Sequence, residues 1–474
     1  MHELTKLIYD DMKPALGVTE PGAIAFAVAK ARSYTEGDLV RVKVAMNSGM
    51  YKNAFTCGIP GSDKTGALYA AAFGYLAGDP EKGLESLAGM TSEDNEEGKK
   101  LVADGKVEIE LSGITSRIFI EATVETDNNT AVVTIHDAHT NITCITVDGE
   151  VVFGAADACD AAGDDPEAAV CDAGEDSAGS TASGEDREVS GKDAKAEEAI
   201  VTESIKKVTA GYPELIIHKY TLAQLIEYAD TVDVGEISFI NEAFRMNLDL
   251  LHAGYESGKV TFAERLLAQN GGEDISADEQ TTSQLLCSGA IEARVIGTDA
   301  PAMSITGSGA HGIIATMPLY AACKVNAYSE EALLRATALS YLICTYIKEY
   351  SGKLSAFCGC GIAAGTGMAC ALCYMKGGDY DAIVRVMNNM AASITGMICD
   401  GGNQGCTMKS VSAVDTAYRS VDFAMNGVCI DSAHSIIGKT PELTMRNMGL
   451  IAAPGMVGTE KTIVEIFEDK NAAE

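Results

Sequence analysis

The chain has 474 residues, of which 47% are hydrophobic, 14 are cysteine and none is tryptophan, so it is long enough for two domains with their own cores. A formal net charge of −33 excludes the basic surface by which proteins bind nucleic acids or anionic membranes, and we expect neither partner. Without a spanning apolar run or a secretory signal pattern, the sequence predicts a cytoplasmic protein whose cysteines are thiols or metal ligands.

The chain opens with two predicted helices. The first covers residues 4–13, and residues 17–21 (Gly-Val-Thr-Glu-Pro) then have the pattern of a new helix start. Thr19 can accept from the first-turn amides, and the proline suits the first turn. Free amides at a helix start also bind anions, so Thr19 and Glu20 are predicted contacts for a substrate carboxylate.

A polar segment follows at residues 47–61. Asn47, Lys52 and Asn53 are predicted substrate contacts within it. Lys52 and Cys57 are also the groups in this segment that could take a proton from a substrate. The alternatives are a solvated loop lysine and a small buried hydrophobe.

The next part of the chain changes its period. A helix is predicted over residues 64–78 and a charged helix or loop over 80–100. Short runs then alternate apolar and polar residues, which predicts a small antiparallel sheet with one solvent-facing side. The predicted strands are residues 107–111, 117–124, 131–135 and 142–147. His136 and His139 follow the third strand, and we interpret them as hydrogen-bonded structural groups, with a catalytic role as the alternative.

Residues 155–200 have a different composition. They hold 14 Asp and Glu against 3 Lys and Arg, so they carry −11 of the total charge of −33. Low hydrophobicity with high charge does not offset the entropy of ordering, which predicts a disordered acidic insertion. The insertion would separate an α+β substrate-binding part (1–154) from a helical catalytic domain (201–474).

The remainder of the chain predicts an all-helical domain, so the overall fold class is α+β. Residues 460–467 are predicted to form either a helix or a closing strand. Other predicted helices are residues 201–209, 220–229, 233–254, 258–270, 279–297, 312–324, 329–350, 409–426 and 431–436.

Residues 307–312 (Gly-Ser-Gly-Ala-His-Gly) match G-x-G-x-x-G before a helix. No strand–helix–strand unit surrounds them, so a nucleotide site is not the favoured interpretation. Glycine amides at a helix start favour an anion-binding loop instead. The side chains predicted to contact a carboxylate or ammonium there are Ser304, Thr306, Ser308 and His311.

Cysteines cluster in two glycine-rich breaks, 357–370 and 396–409, at the ends of an apolar helical hairpin predicted over residues 369–392. A soft metal centre needs several thiolates in a defined geometry, and a helix N-terminus favours the thiolate form. Cys360, Cys399 and Cys406 fit this demand. Buried free cysteines are the alternative.

These two segments, Cys-Gly-Cys-x-Ile-Ala-Ala-Gly-Thr-Gly and Ile-Thr-Gly-Met-Ile-Cys-Asp-Gly with a second Cys seven residues on, resemble the L-cysteine desulfidase family. That family is related to the iron–sulfur L-serine dehydratase alpha chain. The resemblance extends to residues 19–21, 52–61 and 307–312. It implies a [4Fe–4S] cluster held by Cys360, Cys399 and Cys406, with Cys358 as the alternative to Cys360.

The resemblance also implies a general base at the position before Thr19, where the relatives have Cys. This chain has Val18, which accepts no proton. Another group must then act as base, or the chain has a different activity. His311 stands where relatives often carry an amide side chain.

The spacing of the cysteines bears on the metal. Structural zinc favours four ligands in compact knuckles, whereas three widely spaced thiolates with an open corner suit a [4Fe–4S] centre. The resemblance then implies an iron–sulfur lyase that converts L-cysteine to pyruvate, ammonia and sulfide, or L-serine to pyruvate, ammonia and water. A pyridoxal-phosphate lyase and a catalytically silent, cluster-bearing amino-acid-binding protein are the alternatives. The oligomeric state is open.

Overall fold

The computed structural model describes residues 1–115, 117–155, 215–352 and 354–473. It contains two sheets and many helices, which confirms the α+β class. The predicted acidic insertion (155–200), except for its first residue, and the helix predicted at 201–209 lie outside the described residues.

The first part of the chain contains five helices and seven strands among the described residues. The helices are α1 (Glu3–Asp11), α2 (Thr19–Arg32), α3 (Ser48–Asn53), α4 (Ala67–Leu76) and α5 (Ser92–Ala103). The strands are β1 (Lys13–Leu16), β2 (Leu39–Asn47), β3 (Val107–Gly113), β4 (Phe119–Thr126), β5 (Thr130–His136), β6 (Ile142–Val147) and β7 (Glu150–Gly154).

Six of these strands form one sheet in the order β3-β2-β4-β5-β6-β7. All four predicted strands are present, and β2 and β7 are additional. Strands β2 and β3 pair in parallel, while the other neighbours are antiparallel. Val42, Val44 and Met46 alternate inward along β2 and are fully buried, the period expected of a sheet with one covered face.

Helices α2 and α4 pack closely beside this sheet because small residues line their contact. A methyl group on Gly74 would lie only 2.6 Å from the Cα atom of Ala25. The alanine-rich sequence of α2 therefore serves close packing, and its N-terminus is left beside the second half of the chain.

The second part of the chain is helical apart from one short strand, β8 (Pro301–Ser304), among the described residues. Its helices are α6 (Leu222–Thr231), α7 (Val234–Ile237), α8 (Asn241–Ser257), α9 (Phe262–Gln269), α10 (Glu279–Val295), α11 (Gly309–Asn326), α12 (Glu330–Ser351), α13 (Gly365–Met375), α14 (Tyr380–Ile394), α15 (Gly405–Met425), α16 (Pro441–Ala452) and α17 (Val457–Ala473).

Two predicted helices differ from the observed ones, and one observed helix was not predicted. The helix predicted at 233–254 is divided into α7 and α8, and residues 431–436 form turns instead of a helix. Helix α16 was missed, although Thr440 accepts from the Leu443 amide as its N-cap and a proline follows. The C-terminal segment is a helix, not a strand.

Helix α12 runs through the helical core. Ser329 caps its start by accepting from the Ala332 amide, and Gly352, with φ of 73°, follows its end. Helix α1 also packs into this core through Leu4 and Ile8, both almost fully buried.

After α1, the chain continues into β1, which pairs antiparallel with β8. This pairing brings the start of α2 beside the loop that precedes α11.

Two further features bear on the sequence predictions. Within the described ranges, no helix combines the length and apolar character needed to cross a bilayer. Of the cysteines in the described part of the chain, eleven are free thiols and Cys144 in the sheet is disulfide-bonded, so the expectation of thiols or metal ligands is wrong for Cys144.

Candidate functional site

The cysteine loops come together because the α13–α14 hairpin folds back on itself. Gly377, with φ of 84°, follows α13, and the Asp379 side chain caps α14 by accepting from the Ala382 amide at 2.8 Å. At the open end, Cys358 N–H donates to Met397 O at 3.0 Å and Cys399 N–H donates to Ala356 O at 2.6 Å. The hairpin therefore aligns both cysteine segments.

Four of the five thiols in these segments share one site, while Cys370 is buried in the helical core. Cys358 is buried, while Cys360, Cys399 and Cys406 are partly exposed. The hydrogen bond from the Cys360 thiol lowers the pKa of Cys358 to about 6 and raises the pKa of Cys360 itself. Burial raises the pKa of Cys399 and, to about 12, that of Cys406, and the charges of neighbouring thiols act in the same direction. Each thiol thus responds to the others.

Two lysines supply positive charge to the thiol group. Lys409 pairs with Asp400, and its pKa is affected by Cys358, Cys399 and Cys406. Lys52 is fully buried and donates to Cys399 O at 2.9 Å and Ser355 O at 3.0 Å. Cationic neighbours favour thiolates, as a metal centre with cysteine ligands requires.

Lys52 completes its contacts with an ion pair to Glu460 Oε2 of α17, at 3.1 Å. Burial lowers its pKa, but Cys399 and Glu460 outweigh this effect, so the net shift is upward. A protonated ammonium with three acceptors is a poor proton acceptor. The geometry favours a positioning role for Lys52, which holds the Cys399 loop, over its predicted role as a base.

Lys52→Met is expected to reduce the free energy of unfolding by about 3–5 kcal/mol, because it leaves the Glu460 carboxylate buried without its partner. Chemical denaturation measures this loss. Lys52→Met/Glu460→Leu should recover part of it, and Lys99→Met, which removes exposed pairs with Asp63 and Glu96, should have a much smaller effect than Lys52→Met. A small effect of Lys52→Met would show that the pair is solvated.

The donor set has the chemistry of an iron–sulfur site. Within the described ranges, no group of three or more Cys, His, Asp or Glu side chains is arranged so that it could bind a metal ion. Thiols from two adjoining loops, with Lys52 and Lys409 beside them, nevertheless match the soft, anionic ligands that iron–sulfur clusters use. These side chains are therefore of the chemical type that an iron–sulfur cluster uses as ligands.

Next to the thiols, the start of α2 carries a buried carboxylate. Glu20 Oε1 accepts from Asn53 Nδ2 at 2.9 Å and lies 3.7 Å from His139 Nε2. Asn53 Oδ1 in turn lies 3.8 Å from the Cys399 sulfur. Asn53 therefore links Glu20 to the thiol group. Both Asn53 and Glu20 are predicted substrate-binding residues.

Glu20 remains ionised in this setting. Burial acts to raise its pKa, but His139, Asn53 and Arg294 together lower it to about 2. A carboxylate with a lowered pKa stabilises the fold above its unfolded pKa, and this contribution is lost as the pH falls through about 2. His139, interpreted from the sequence as structural, lies at this carboxylate, and its Nε2 atom has no hydrogen-bond partner.

Arg294, on α10, is a buried charged residue beside Thr19 that the sequence analysis did not single out. It is 3% exposed, and its Nη2 donates to Thr19 Oγ1 at 3.2 Å. Its Nε is buried without a hydrogen-bond partner. A charged residue within an apolar helix was the available signal.

Val18 lies between the two halves of the site. It packs with Cys57 and Cys406 in one small apolar cluster. A methyl group on Gly402 would lie 2.7 Å from Val18 Cγ1, so the Cys399–Cys406 loop passes directly over this side chain. Burial raises the pKa of Cys57, which keeps this predicted base a neutral thiol.

The loop before α11 is a tight two-residue turn. Ile305 and Ser308 exchange backbone hydrogen bonds around Thr306 and Gly307, whose φ angles are 51° and 76°. Two left-handed residues in succession are typical of a type I′ turn. The Ser308 amide is thus bound within the turn and is not free for a substrate.

The side chains of this loop have defined partners. The Ser304 hydroxyl donates to Lys13 O at 2.6 Å, and Thr306 Oγ1 shares a short hydrogen bond with His311 Nδ1. Burial and the charges of Lys348 and Arg294 lower the pKa of His311, which is therefore neutral. A methyl group on Gly359 would lie 2.6 Å from His311 Nε2, so the ring adjoins the backbone between Cys358 and Cys360.

Asn47, a predicted substrate contact, forms hydrogen bonds to the backbone instead. Its amide donates to Thr115 O at 2.9 Å, and its carbonyl oxygen accepts from the Phe119 amide at 3.1 Å. Both polar atoms tie the end of β2 to the neighbouring chain. The structure thus gathers Thr19, Glu20, Asn53 and His311 near the thiols, while Asn47 is bound elsewhere.

Known proteins align with nearly all of this chain. A family model described as serine dehydratase alpha chain matches residues 81–465. UPF0597 proteins of Clostridium botulinum (strain Hall) and Caldanaerobacter subterraneus subsp. tengcongensis are 34% and 33% identical, and each alignment covers 98% of both chains. A UPF0597 protein of Phocaeicola vulgatus is 32% identical over 99% of this chain and 97% of its own.

Proposed function

The chain belongs to the serine dehydratase alpha chain family, and we propose that it is an iron–sulfur-dependent ammonia-lyase acting on L-cysteine or L-serine. The observation that carries the proposal is the position of an ionised Glu20 beside four mutually interacting thiols, connected through Asn53. A carboxylate, an imidazole and soft metal ligands in one buried site suit elimination from a small amino acid.

Cys360, Cys399 and Cys406 would hold a [4Fe–4S] cluster, with Cys358 as the alternative to Cys360. When bound, such a cluster supplies a Lewis acid for the departing thiol or hydroxyl group. The Lys52 ammonium donates to the backbone carbonyl of Cys399, and Asn53 Oδ1 contacts the Cys399 sulfur. These contacts position the ligands before substrate enters.

His139 is the residue we assign as general base, in place of Lys52 or Cys57. With Nε2 protonated and directed at Glu20, Nδ1 carries the lone pair that accepts the substrate α-proton. A methyl group on Gly307 would lie 3.8 Å from Nδ1, so this atom is on the side of the turn before α11. The ionised Glu20 then stabilises the imidazolium that forms.

The reaction balances as an elimination followed by hydrolysis. The α-proton passes to His139, and the β-substituent leaves with the bonding pair, as hydrosulfide from L-cysteine or hydroxide from L-serine. The protonated His139 then gives up this proton, which makes the released hydroxide water and restores the neutral imidazole. The aminoacrylate left behind takes up water to give pyruvate and ammonia. No oxidant or reductant is consumed.

Anaerobic purification followed by iron and sulfide analysis, with pyruvate and sulfide assays on L-cysteine and L-serine, tests the proposal. We expect iron and acid-labile sulfide in the protein and pyruvate from at least one substrate. Zinc or a pyridoxal chromophore in place of iron would contradict the cofactor. A loaded cluster that turns over neither substrate would favour a silent amino-acid-binding protein, which the valine at position 18 makes a specific second candidate.

Val18→Cys tests whether the base is missing. Cysteine and valine have similar volumes, so the variant should fold, and a cysteine would stand against Gly402 and Cys406. Because His139 already supplies a base, we expect sulfide release from L-cysteine to stay within the same order of magnitude. A rise of about 10²- to 10⁴-fold would show that the wild type lacks a positioned base.

A further inference from the structure

Arg294 is a buried guanidinium that forms no ion pair with any carboxylate of the described residues. It is 3% exposed, its Nη2 atom donates to the neutral hydroxyl of Thr19 at 3.2 Å, and its Nε atom has no partner. Glu20 is near enough for the Arg294 charge to act on it, but it accepts its hydrogen bond from Asn53. Glu292, two residues away along the chain, accepts from the amides of Phe262 and Ala263. Buried charges are normally paired, so an unpaired arginine points to a partner that arrives from outside.

The surroundings of Arg294 favour an anion. Its side chain lies against the first turn of α11, because a methyl group on Gly309 would stand 2.7 Å from Nε. On its other side, Thr19 begins α2. Two helix N-termini, each with a partial positive charge and unpaired amides, therefore flank the same guanidinium.

We infer that Arg294 is the residue that binds the substrate α-carboxylate, and that it restricts the substrate to small amino acids with a free carboxylate. The inference rests on the proposed function and assigns one of its undetermined contacts. The planar fork of a guanidinium matches a carboxylate with two parallel hydrogen bonds, which an ammonium cannot reproduce.

The close packing around Arg294 also favours a small substrate. Gly309 must stay without a side chain, since a methyl group would meet both Arg294 and Ala302, at 2.7 and 2.9 Å. Val18 and Cys57 form an apolar cluster next to Thr19. Together they leave polar recognition to the carboxylate end of a short amino acid.

The test compares binding of L-serine with binding of L-serinamide, in which a neutral amide replaces the carboxylate, by calorimetry on the cluster-loaded protein. Wild type should bind L-serine about 10- to 100-fold more tightly than L-serinamide, the range expected for hydrogen bonds to a charged group. Arg294→Met should lose this preference, and Arg294→Lys should retain only part of it. KM for the turned-over substrate should rise by the same factor with iron content unchanged.

Arg32→Met is the matched control, because Arg32 donates to backbone carbonyls of Leu76 and Gly78 at the end of α4, away from the thiols. It should keep the wild-type preference. Equal binding of L-serine and L-serinamide by wild type, or an unchanged preference in Arg294→Met, would overturn the inference. Where Arg294→Met does not fold, an unchanged preference in Arg294→Lys has the same force.

The outcome is separable from that of the proposed function. An Arg294-dependent preference for L-serine without pyruvate formation would refute the lyase and keep the carboxylate site. Pyruvate formation with a KM that does not depend on Arg294 would do the reverse.

Discussion

Cys399→Ser and Cys406→Ser are each expected to yield colourless protein without bound iron and without detectable pyruvate formation. Serine is a poor ligand for a soft metal, and losing one of three thiolates exposes iron to water. The measurement is visible absorption with iron and acid-labile sulfide analysis of protein purified without oxygen.

Cys358→Ser and Cys360→Ser, compared in the same way, decide which of the two is the remaining ligand. The partial exposure that Cys360 shares with Cys399 and Cys406 favours Cys360, whereas Cys358 is buried. Cys287→Ala is the control, because Cys287 is a fully buried thiol of the helical core. Retention of full iron content by Cys399→Ser and Cys406→Ser would remove the cluster from the proposal.

His139→Gln is expected to lower kcat by about 10²- to 10⁴-fold, the usual effect of losing a positioned base. Glutamine keeps a side-chain N–H group that can face Glu20 but cannot take up the α-proton. Steady-state pyruvate formation measures the loss, and iron content should equal that of wild type because His139 is not a proposed ligand.

Two comparisons sharpen this result. Glu20→Gln keeps an oxygen that can accept from Asn53 but removes the charge that stabilises a protonated His139, so it should lower kcat with the cluster present. His136→Gln is the control, since His136 lies at the end of β5 and packs against Phe119. Equal rates for His139→Gln and wild type would exclude His139 as the base and return attention to Cys57.

The sequence by itself determined the features that depend on neighbours along the chain. Helical hairpin α13–α14 followed from its apolar period and its glycine break, and the cysteine loops at its ends followed from it. The four predicted strands have the same origin, because strand period is a local property. The start of α2 also lies where the sequence predicts it, but the predicted cap is wrong: Val18 occupies the N-cap position without a side-chain cap, and Thr19 Oγ1 accepts from Arg294 instead of from a first-turn amide. Strand β2 has the alternation of apolar and polar residues that is typical of a strand, although the sequence analysis did not predict it.

Only the tertiary structure decided the roles of the polar side chains. Lys52 and Cys399 are 347 residues apart in sequence, and Arg294 and Thr19 are 275 apart. Whether Lys52 is a base or an ion-pair partner depends on Glu460, which α17 brings from the end of the chain. Protonation depends on burial and on charges a few ångströms away, and distant segments supply both, so no local pattern could reveal them.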